Sequence, residues 1–124
     1  MRAINIEDKV LKHTSIKRVL SNLKYEVTWK KTLTDGIEEI KQASAKGRPY
    51  DLLVLDMHFP ITKDDYDRKA GEKVIAILEE EHIKLPTIVC SSVHYDIPQI
   101  VGCVFYNEKR SWEMELSKLI KSID

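Results

Sequence analysis

Cysteine, proline and glycine are scarce in this sequence of 124 residues, and neither sign of charge is in excess. The two cysteines, Cys90 and Cys103, lie in apolar runs at a spacing that does not match a zinc site, so we expect buried free thiols. The 20 basic and 20 acidic side chains cancel. This balance gives no electrostatic reason to expect contact with nucleic acid or with an anionic membrane.

Long apolar stretches are missing as well. No run approaches the roughly 18 residues of a membrane span, and no N-terminal segment has the residue order of a signal peptide. From these absences we expect a cytoplasmic protein. Repeats, linkers and low-complexity tracts are also absent, and the length suits one domain over residues 1–124.

Apolar residues alternate between the two-residue period of strands and the 3.6-residue period of helices. The run DLLVLD at 51–56 is apolar on both faces, which is typical of a central parallel strand. Five strands alternating with helices predict βαβ units in a three-layer α/β domain. The predicted strands lie near 3–6, 25–29, 51–56, 86–90 and 100–106, and the helices at 10–23, from a Thr34 cap to before Gly47, at 71–81 and at 112–123.

Polar side chains follow four of the predicted strands where each strand ends. In open parallel sheets, ligands bind beyond the carboxyl ends of the strands. Converging carboxylates repel one another unless a cation offsets their charge, and oxygen ligands of this kind suit Mg²⁺. An aspartate in such a setting can act as a nucleophile towards phosphorus. These strand-end residues are Glu7 and Asp8, Asp56, Ser91, and Lys109.

Four motifs carry a resemblance across essentially the whole chain. They are INIED at 4–8, DLLVLDMHFP at 51–60 with its D-x-x-x-P turn, PTIVCSS at 86–92, and GCVFYNEK at 102–109, in that order. Together they resemble the receiver domain of bacterial response regulators, the CheY-like family. The resemblance implies a flavodoxin-like sheet in strand order 2-1-3-4-5, in which strands one and three flank the switch point.

The resemblance implies a role for Asp56 as the phosphoacceptor of a two-component system. The donor would be a sensor histidine kinase or a phosphotransfer protein, and the reaction would need Mg²⁺. Glu7, Asp8, Asp56 and the backbone carbonyl of His58 would hold the metal. The domain would then switch an attached output domain, a partner or a homodimer, and would be no enzyme beyond its own phosphorylation and dephosphorylation.

The remaining implied roles fall on three residues. Ser91 would hydrogen-bond the new phosphoryl group, and Lys109 would form an ion pair with it, so both join Asp56 as catalytic residues. Ser91 and Tyr106 would form the switch, since Tyr106 matches the aromatic position whose rotamer follows the hydroxyl residue. In physical terms, such a switch is a two-state element whose equilibrium is shifted by a new charged group.

The sequence departs from the family at three places. The segment 61–70 is longer than usual, which predicts an extra loop beside the site. Only 93–101 separates PTIVCSS from Gly102, and Pro98 interrupts it, so the helix between strands four and five is expected to be short or absent. Arg110 replaces the usual proline, which disfavours a cis peptide bond and leaves the placement of Lys109 open.

Two alternatives remain at the level of sequence. One is a pseudo-receiver, a protein-interaction module of the same fold that acts without phosphorylation. The other is an aspartyl-phosphate phosphohydrolase, which also uses an aspartate at the end of a strand. Such enzymes resemble D-x-D at the nucleophile, whereas here His58 takes the second position. The sequence therefore favours the receiver.

Overall fold

The computed structural model describes residues 1–107, 109 and 111–123. This part of the chain contains five strands and four helices, which alternate except that the fourth and fifth strands follow one another. No helix within it is long and apolar enough to cross a membrane. The elements are β1 (Arg2–Ile6), α1 (Val10–Asn22), β2 (Glu26–Lys30), α2 (Leu33–Ala45), β3 (Leu52–Leu55), α3 (Ala70–Glu80), β4 (Thr87–Ser91), β5 (Gly102–Phe105) and α4 (Trp112–Lys121).

The strands form one parallel sheet in the order β2-β1-β3-β4-β5. The predicted α/β fold and strand order 2-1-3-4-5 are thus confirmed. At the carboxyl end of β1, Ile6 pairs with Lys30 of β2 on one side and with Leu55 of β3 on the other. The residues that follow β1 and β3 therefore leave the sheet side by side.

Helices cover both faces of the sheet, and β3 is consequently buried throughout. Leu53 and Leu55 pack with α2 and α3 on one face. Leu52 and Val54 pack with α1 and α4 on the other. This alternation follows from the two-residue period of a strand, and it explains why the segment reads as a continuous apolar run.

Helix α1 buries Ile16, Val19 and Leu20 as expected, but its first turn differs from the prediction. Val10 and Leu11 were assigned to its apolar face, but they are 56% and 83% exposed, so that assignment is wrong. The buried stripe starts instead at Lys12 and His13 and continues through Ile16. The reason is geometric, because the helical period places the residues three and four before Ile16 on the same face as Ile16.

Helix α2 begins two residues earlier than the predicted cap. The hydroxyl oxygen of Thr32 accepts the amide N–H of Asp35 at 3.1 Å, so Thr32, not Thr34, is the N-cap. Thr34 lies in the first turn, where its hydroxyl donates to the Ile61 carbonyl at 2.9 Å. Threonine is a common N-cap residue, so either position could have served. Thr32 is the cap because the hydroxyl of Thr34 is used in a contact with the chain after Pro60.

Residues 92–101, between β4 and β5, contain no helix. This confirms the expectation of a short or absent helix at this place in the fold. Val101 donates its N–H to Thr87 at 2.8 Å, which leads the chain directly into β5. The segment connects β4 to β5 without a helix of its own.

Both cysteines are free, as expected. Cys90 in β4 is buried, and burial raises the pKa of its thiol to about 12. Cys103 is only partly buried because β5 is the edge strand of the sheet. The expectation of two buried thiols is therefore correct for Cys90 and wrong for Cys103.

Candidate functional site

Three carboxylates meet at the carboxyl edge of the sheet. Glu7 and Asp8 follow β1 and Asp56 follows β3, and one oxygen from each lies within 4.8 Å of the others. Glu7 is fully buried and Asp56 is 5% exposed, whereas Asp8 is half-buried. Oxygen donors in this number can hold a hard divalent cation.

Two carboxylate oxygens of this cluster lack a hydrogen-bond donor among the described residues, namely Glu7 Oε1 and Asp8 Oδ1. Lysine ammonium groups lie near both, Lys12 Nζ at 3.3 Å from Glu7 Oε1 and Lys9 Nζ at 3.6 Å from Asp8 Oδ1. Buried polar atoms are ordinarily paired. These two oxygens therefore fit the role of ligands to a cation.

Lys12 is part of the same cluster, although no motif pointed to it. Its Nζ donates to Asp56 Oδ1 at 3.1 Å and to the Cys90 carbonyl at 2.8 Å. The ammonium also lies 5.0 Å from the centre of the Tyr106 ring. The signal in the sequence is the spacing of Lys12 four residues before Ile16, which places it on the buried face of α1.

The charges of the cluster shift one another's proton affinities. Burial raises the pKa of Glu7 to about 8; Lys12 opposes that rise and Asp56 adds to it. Burial lowers the proton affinity of Lys12, but the neighbouring Glu7 and Asp56 carboxylates outweigh it and raise the pKa of the ammonium. The ammonium of Lys12 is therefore a permanent positive charge at neutral pH.

Asp56 borders an open cleft of about 520 Å³. Its Oδ1 accepts the Met57 N–H at 2.8 Å as well as the Lys12 ammonium, while Oδ2 lies 4.0 Å from Nζ of the exposed Lys9. Oδ2 is thus the less engaged oxygen. The cleft is lined by Lys9, Val10, Leu11, Lys12, Asp56, His58, Ser91, Ser92 and Tyr106.

The structure brings Ser91 and Tyr106 to this cleft. Ser91 ends β4, is buried, and accepts the Val93 N–H on its hydroxyl oxygen at 3.2 Å. The Tyr106 N–H donates to the Ser91 carbonyl at 2.7 Å, and the Tyr106 ring packs at an angle against Trp112. The two residues predicted to form a switch are therefore joined through the backbone.

Lys109 is not brought into the cluster in the same way. Its side chain is exposed, its N–H donates to Asn107 Oδ1 at 2.8 Å, and no ion pair found among the described residues joins it to Asp56. Lys109 also does not line the cleft. Arg110, whose effect on Lys109 was left open, lies outside the described residues.

The extra loop at 61–69 lies next to the acidic cluster. Phe59 and Arg68 exchange two backbone hydrogen bonds of 3.1 Å, which close the base of the loop. Burial raises the pKa of Asp8, and Asp67 of the loop raises it further. The insertion thus adds a fourth carboxylate near the three that converge.

A buried polar network supports the end of β1. Trp29 donates its indole N–H to the Glu7 carbonyl at 2.6 Å and stacks on His13 with ring centres 4.1 Å apart. His13 Nδ1 is 2.7 Å from Asn5 Oδ1, and Asn5 donates to the Val54 carbonyl at 2.9 Å. The network fixes the backbone from which Glu7 projects, and through it Trp29 directly contacts the backbone of the site.

Comparison with known proteins rests on structure, since no protein-family model and no curated protein matches the sequence. A response regulator receiver protein from Pseudoalteromonas atlantica is 14% identical, with a TM-score of 0.71 over 99% of this chain and 96% of that chain. The non-phosphorylated HemR receiver domain from Leptospira biflexa is 20% identical, with a TM-score of 0.69 over 99% and 94%. The RcsB response regulator of Salmonella typhimurium is 18% identical, with a TM-score of 0.73 over 99% of this chain and 59% of that chain.

These likenesses cover nearly the whole chain at identities that establish the fold alone. The chain therefore has the fold of response regulator receiver domains, as the four motifs predicted. The acidic cluster of Glu7, Asp8 and Asp56 lies at the switch point of that fold, between β1 and β3.

Proposed function

We propose that this chain is a receiver domain of two-component signalling and that Asp56 is its phosphoacceptor. The observation that carries the proposal is the convergence of Glu7, Asp8 and Asp56 within 4.8 Å at the switch point of a receiver fold. The phosphodonor would be a phosphohistidine of a sensor histidine kinase or a phosphotransfer protein.

The transfer uses the less engaged oxygen of Asp56. Oδ2 attacks phosphorus, a P–O bond forms, and the P–N bond to the donor imidazole breaks with its electron pair retained by nitrogen. The product is an aspartyl phosphate, a carboxylic–phosphoric anhydride. Oδ1 stays held by the Met57 N–H and the Lys12 ammonium, which orients the carboxylate for attack.

The side chains of Glu7, Asp8 and Asp56, with the His58 carbonyl, would hold Mg²⁺. The donor set fits, because it supplies hard oxygen ligands, two of which lack hydrogen-bond donors in the described chain. When bound, Mg²⁺ neutralises charge on the transferring phosphoryl group. Ser91 lines the same cleft as Asp56 and would donate its hydroxyl proton to that group, and its backbone link to Tyr106 supports the switch proposed for this pair.

Partners are proposed from the surface around the cleft. Val10 and Leu11 are exposed apolar residues at its rim, and they offer a contact for the protein that donates the phosphoryl group. The RcsB structure extends well beyond the matched length and is described in terms of DNA interaction. We propose that this domain likewise passes its signal to an attached output domain, to a separate partner or to a second copy in a homodimer.

A pseudo-receiver is the second candidate, favoured by one observation. The connection at 92–101 contains no helix between β4 and β5, and this reduces the surface whose shape phosphorylation would change. In that case the domain would bind its partner in one state, without phosphate.

Intact mass after incubation with Mg²⁺ and acetyl phosphate tests the proposal. We expect wild type to gain one labile phosphate, Asp56→Asn to gain none, and the exposed-loop control Asp64→Asn to behave as wild type. No gain in wild type, with no spectral change on adding beryllofluoride, would favour the pseudo-receiver. Multiple turnovers of a phosphomonoester would instead indicate a phosphohydrolase.

A further inference from the structure

Lys12 lies at the centre of the site, although the family resemblance assigned it no role. The side chain is 9% exposed, and its ammonium contacts Asp56 Oδ1 at 3.1 Å, the Cys90 carbonyl at 2.8 Å and Glu7 Oε1 at 3.3 Å. A buried charge is costly unless it is paired and hydrogen-bonded. Three oxygen contacts satisfy this ammonium and hold it in one place.

The other lysines near the site do not have such contacts. Lys9 is 4.0 Å from Asp56 Oδ2 with a side chain 58% exposed, so its interaction is weakened by solvent. Lys109 is exposed, and the ion pairs of the described chain include none between it and Asp56. Among the described residues, Lys12 is therefore the cation with the closest contacts to Asp56.

We propose that Lys12 is the resident cation of the phosphorylation site and takes the part predicted for Lys109. This inference rests on the proposed function. Before transfer the ammonium offsets the charge of Asp56 and contacts Glu7 Oε1. After transfer to Oδ2, Oδ1 becomes the acyl oxygen, and Lys12 continues to bind it while attracting the phosphoryl group.

The same placement sets the affinity for a divalent cation. The positive charge of Lys12 lies among the oxygens that would bind the metal, so it repels Mg²⁺ and competes for Glu7 and Asp56. Without the positive charge of Lys12, the negative charge of the carboxylates is no longer partly neutralised. Mg²⁺ binding should then become tighter, while phosphoryl transfer loses a group that holds Asp56.

The experiment compares Lys12→Gln and Lys12→Met with wild type, with Lys17→Gln as a matched control on the exposed face of α1. Lys12→Met keeps an apolar stem in the buried position, and circular dichroism verifies the fold of each variant. Calorimetry gives the Kd of Mg²⁺ alone, and intact mass gives the initial rate of phosphate uptake from acetyl phosphate at saturating Mg²⁺.

We expect both Lys12 variants to bind Mg²⁺ about tenfold more tightly or better, and to take up phosphate about tenfold more slowly or worse, which corresponds to roughly one charge interaction at short range. Lys17→Gln should stay within about threefold of wild type in both measurements, since surface charges contribute little. Lys109→Gln should lose less activity than either Lys12 variant.

Two results would overturn the inference. One is an unchanged Mg²⁺ affinity in both Lys12 variants. The other is a larger loss of phosphate uptake in Lys109→Gln than in Lys12→Gln. If wild type takes up no phosphate, the proposed function fails and the Mg²⁺ measurement alone decides the role of Lys12. Mg²⁺ binding that appears only when Lys12 is replaced would support the inference. Absence of binding in wild type and variants alike would refute it.

Discussion

At the scale of single residues, the protonation of Glu7 departs strongly from its ordinary state. It is fully buried, and burial raises its pKa from 4.5 to about 8. Between these two values the unfolded chain loses a proton that the folded protein keeps. The stability contributed by this group is therefore fully present below pH 4.5 and is lost as pH rises towards 8.

Glu7→Gln should remove that loss, because glutamine does not titrate. In metal-free buffer, urea unfolding from pH 5 to 9 should show a free energy of unfolding that falls with pH in wild type by up to about 1.4 kcal/mol per pH unit. The slope should be shallower in Glu7→Gln. Glu26→Gln, at an exposed position, should retain the wild-type slope, and equal slopes in all three proteins would contradict the assignment.

The residue scale also separates what the sequence could predict from what it could not. Glu7, Asp8 and Asp56 could be brought together from the sequence because each follows a strand, and parallel strands in the assumed order end at one edge. Lys12 could not, since a lysine on an amphipathic helix is ordinarily assigned to the solvent face. Only its spacing from Ile16 marks it as buried.

At the scale of elements, helix α2 illustrates how a tertiary contact determines the residue at which a helix begins. Leu33 donates its N–H to the Pro60 carbonyl at 3.0 Å, and Thr34 donates to the Ile61 carbonyl at 3.1 Å. These contacts satisfy amides that the helix leaves unpaired at its first turn. A local pattern of cap residues cannot include them, which is why the predicted Thr34 cap was misplaced.

Thr32→Ala should destabilise the protein by about 1 kcal/mol, because it removes the acceptor of the Asp35 N–H. Urea denaturation with a common m-value would measure the loss. Thr34→Ala is the matched comparison, since it removes an exposed hydroxyl that is not the cap. A larger loss in Thr34→Ala than in Thr32→Ala would show that the helix is stabilised mainly by its contact with the loop.

The start of helix α3 is fitted closely to the end of β3. A Cβ added at Gly71 would lie 2.5 Å from the Asp56 carbonyl oxygen and 2.7 Å from Met57 Cα, both of which are backbone atoms. Gly71 also donates its N–H to the Met57 carbonyl at 3.2 Å. The absence of a side chain here lets α3 approach the end of β3.

Gly71→Ala should therefore destabilise the protein by about 1–3 kcal/mol, because the helix must move away from β3. The substitution should also weaken Mg²⁺ binding, since the added Cβ presses on the carbonyl oxygen of Asp56. Lys73→Ala, on the exposed face of the same helix, serves as control. Thermal unfolding and calorimetry give the two readouts, and wild-type values for both in Gly71→Ala would refute the close fit.

At the scale of the whole molecule, two apolar layers share a single sheet. One layer joins α2 and α3 to the sheet, and the other joins α1 and α4. The layered fold could be predicted from the sequence because strand and helix periods alternate along the chain as far as β4. The loop contacts at 61–69 could not, since they depend on the pairing of Phe59 with Arg68 rather than on any periodic pattern.

Because β3 belongs to both layers, damage to one layer should be felt in the other. Leu53 is fully buried in the α2 and α3 layer, and Leu53→Ala should cost about 2–5 kcal/mol. Trp112 lies in the opposite layer and reports on it by fluorescence, once Trp29 is replaced by phenylalanine. We expect Leu53→Ala in that background to lower the urea midpoint of Trp112 fluorescence and of helical circular dichroism together, as a two-state domain requires.

The matched variant is Leu52→Ala, the neighbouring residue that packs into the Trp112 layer. If the sheet couples the layers, both substitutions should shift the two signals in parallel, whichever layer they damage. If instead Leu53→Ala lowers the midpoint of circular dichroism and leaves the Trp112 transition at its wild-type position, the layers unfold separately. A change at Asp56, which directly follows the strand that both layers share, would then reach one layer of helices without the other.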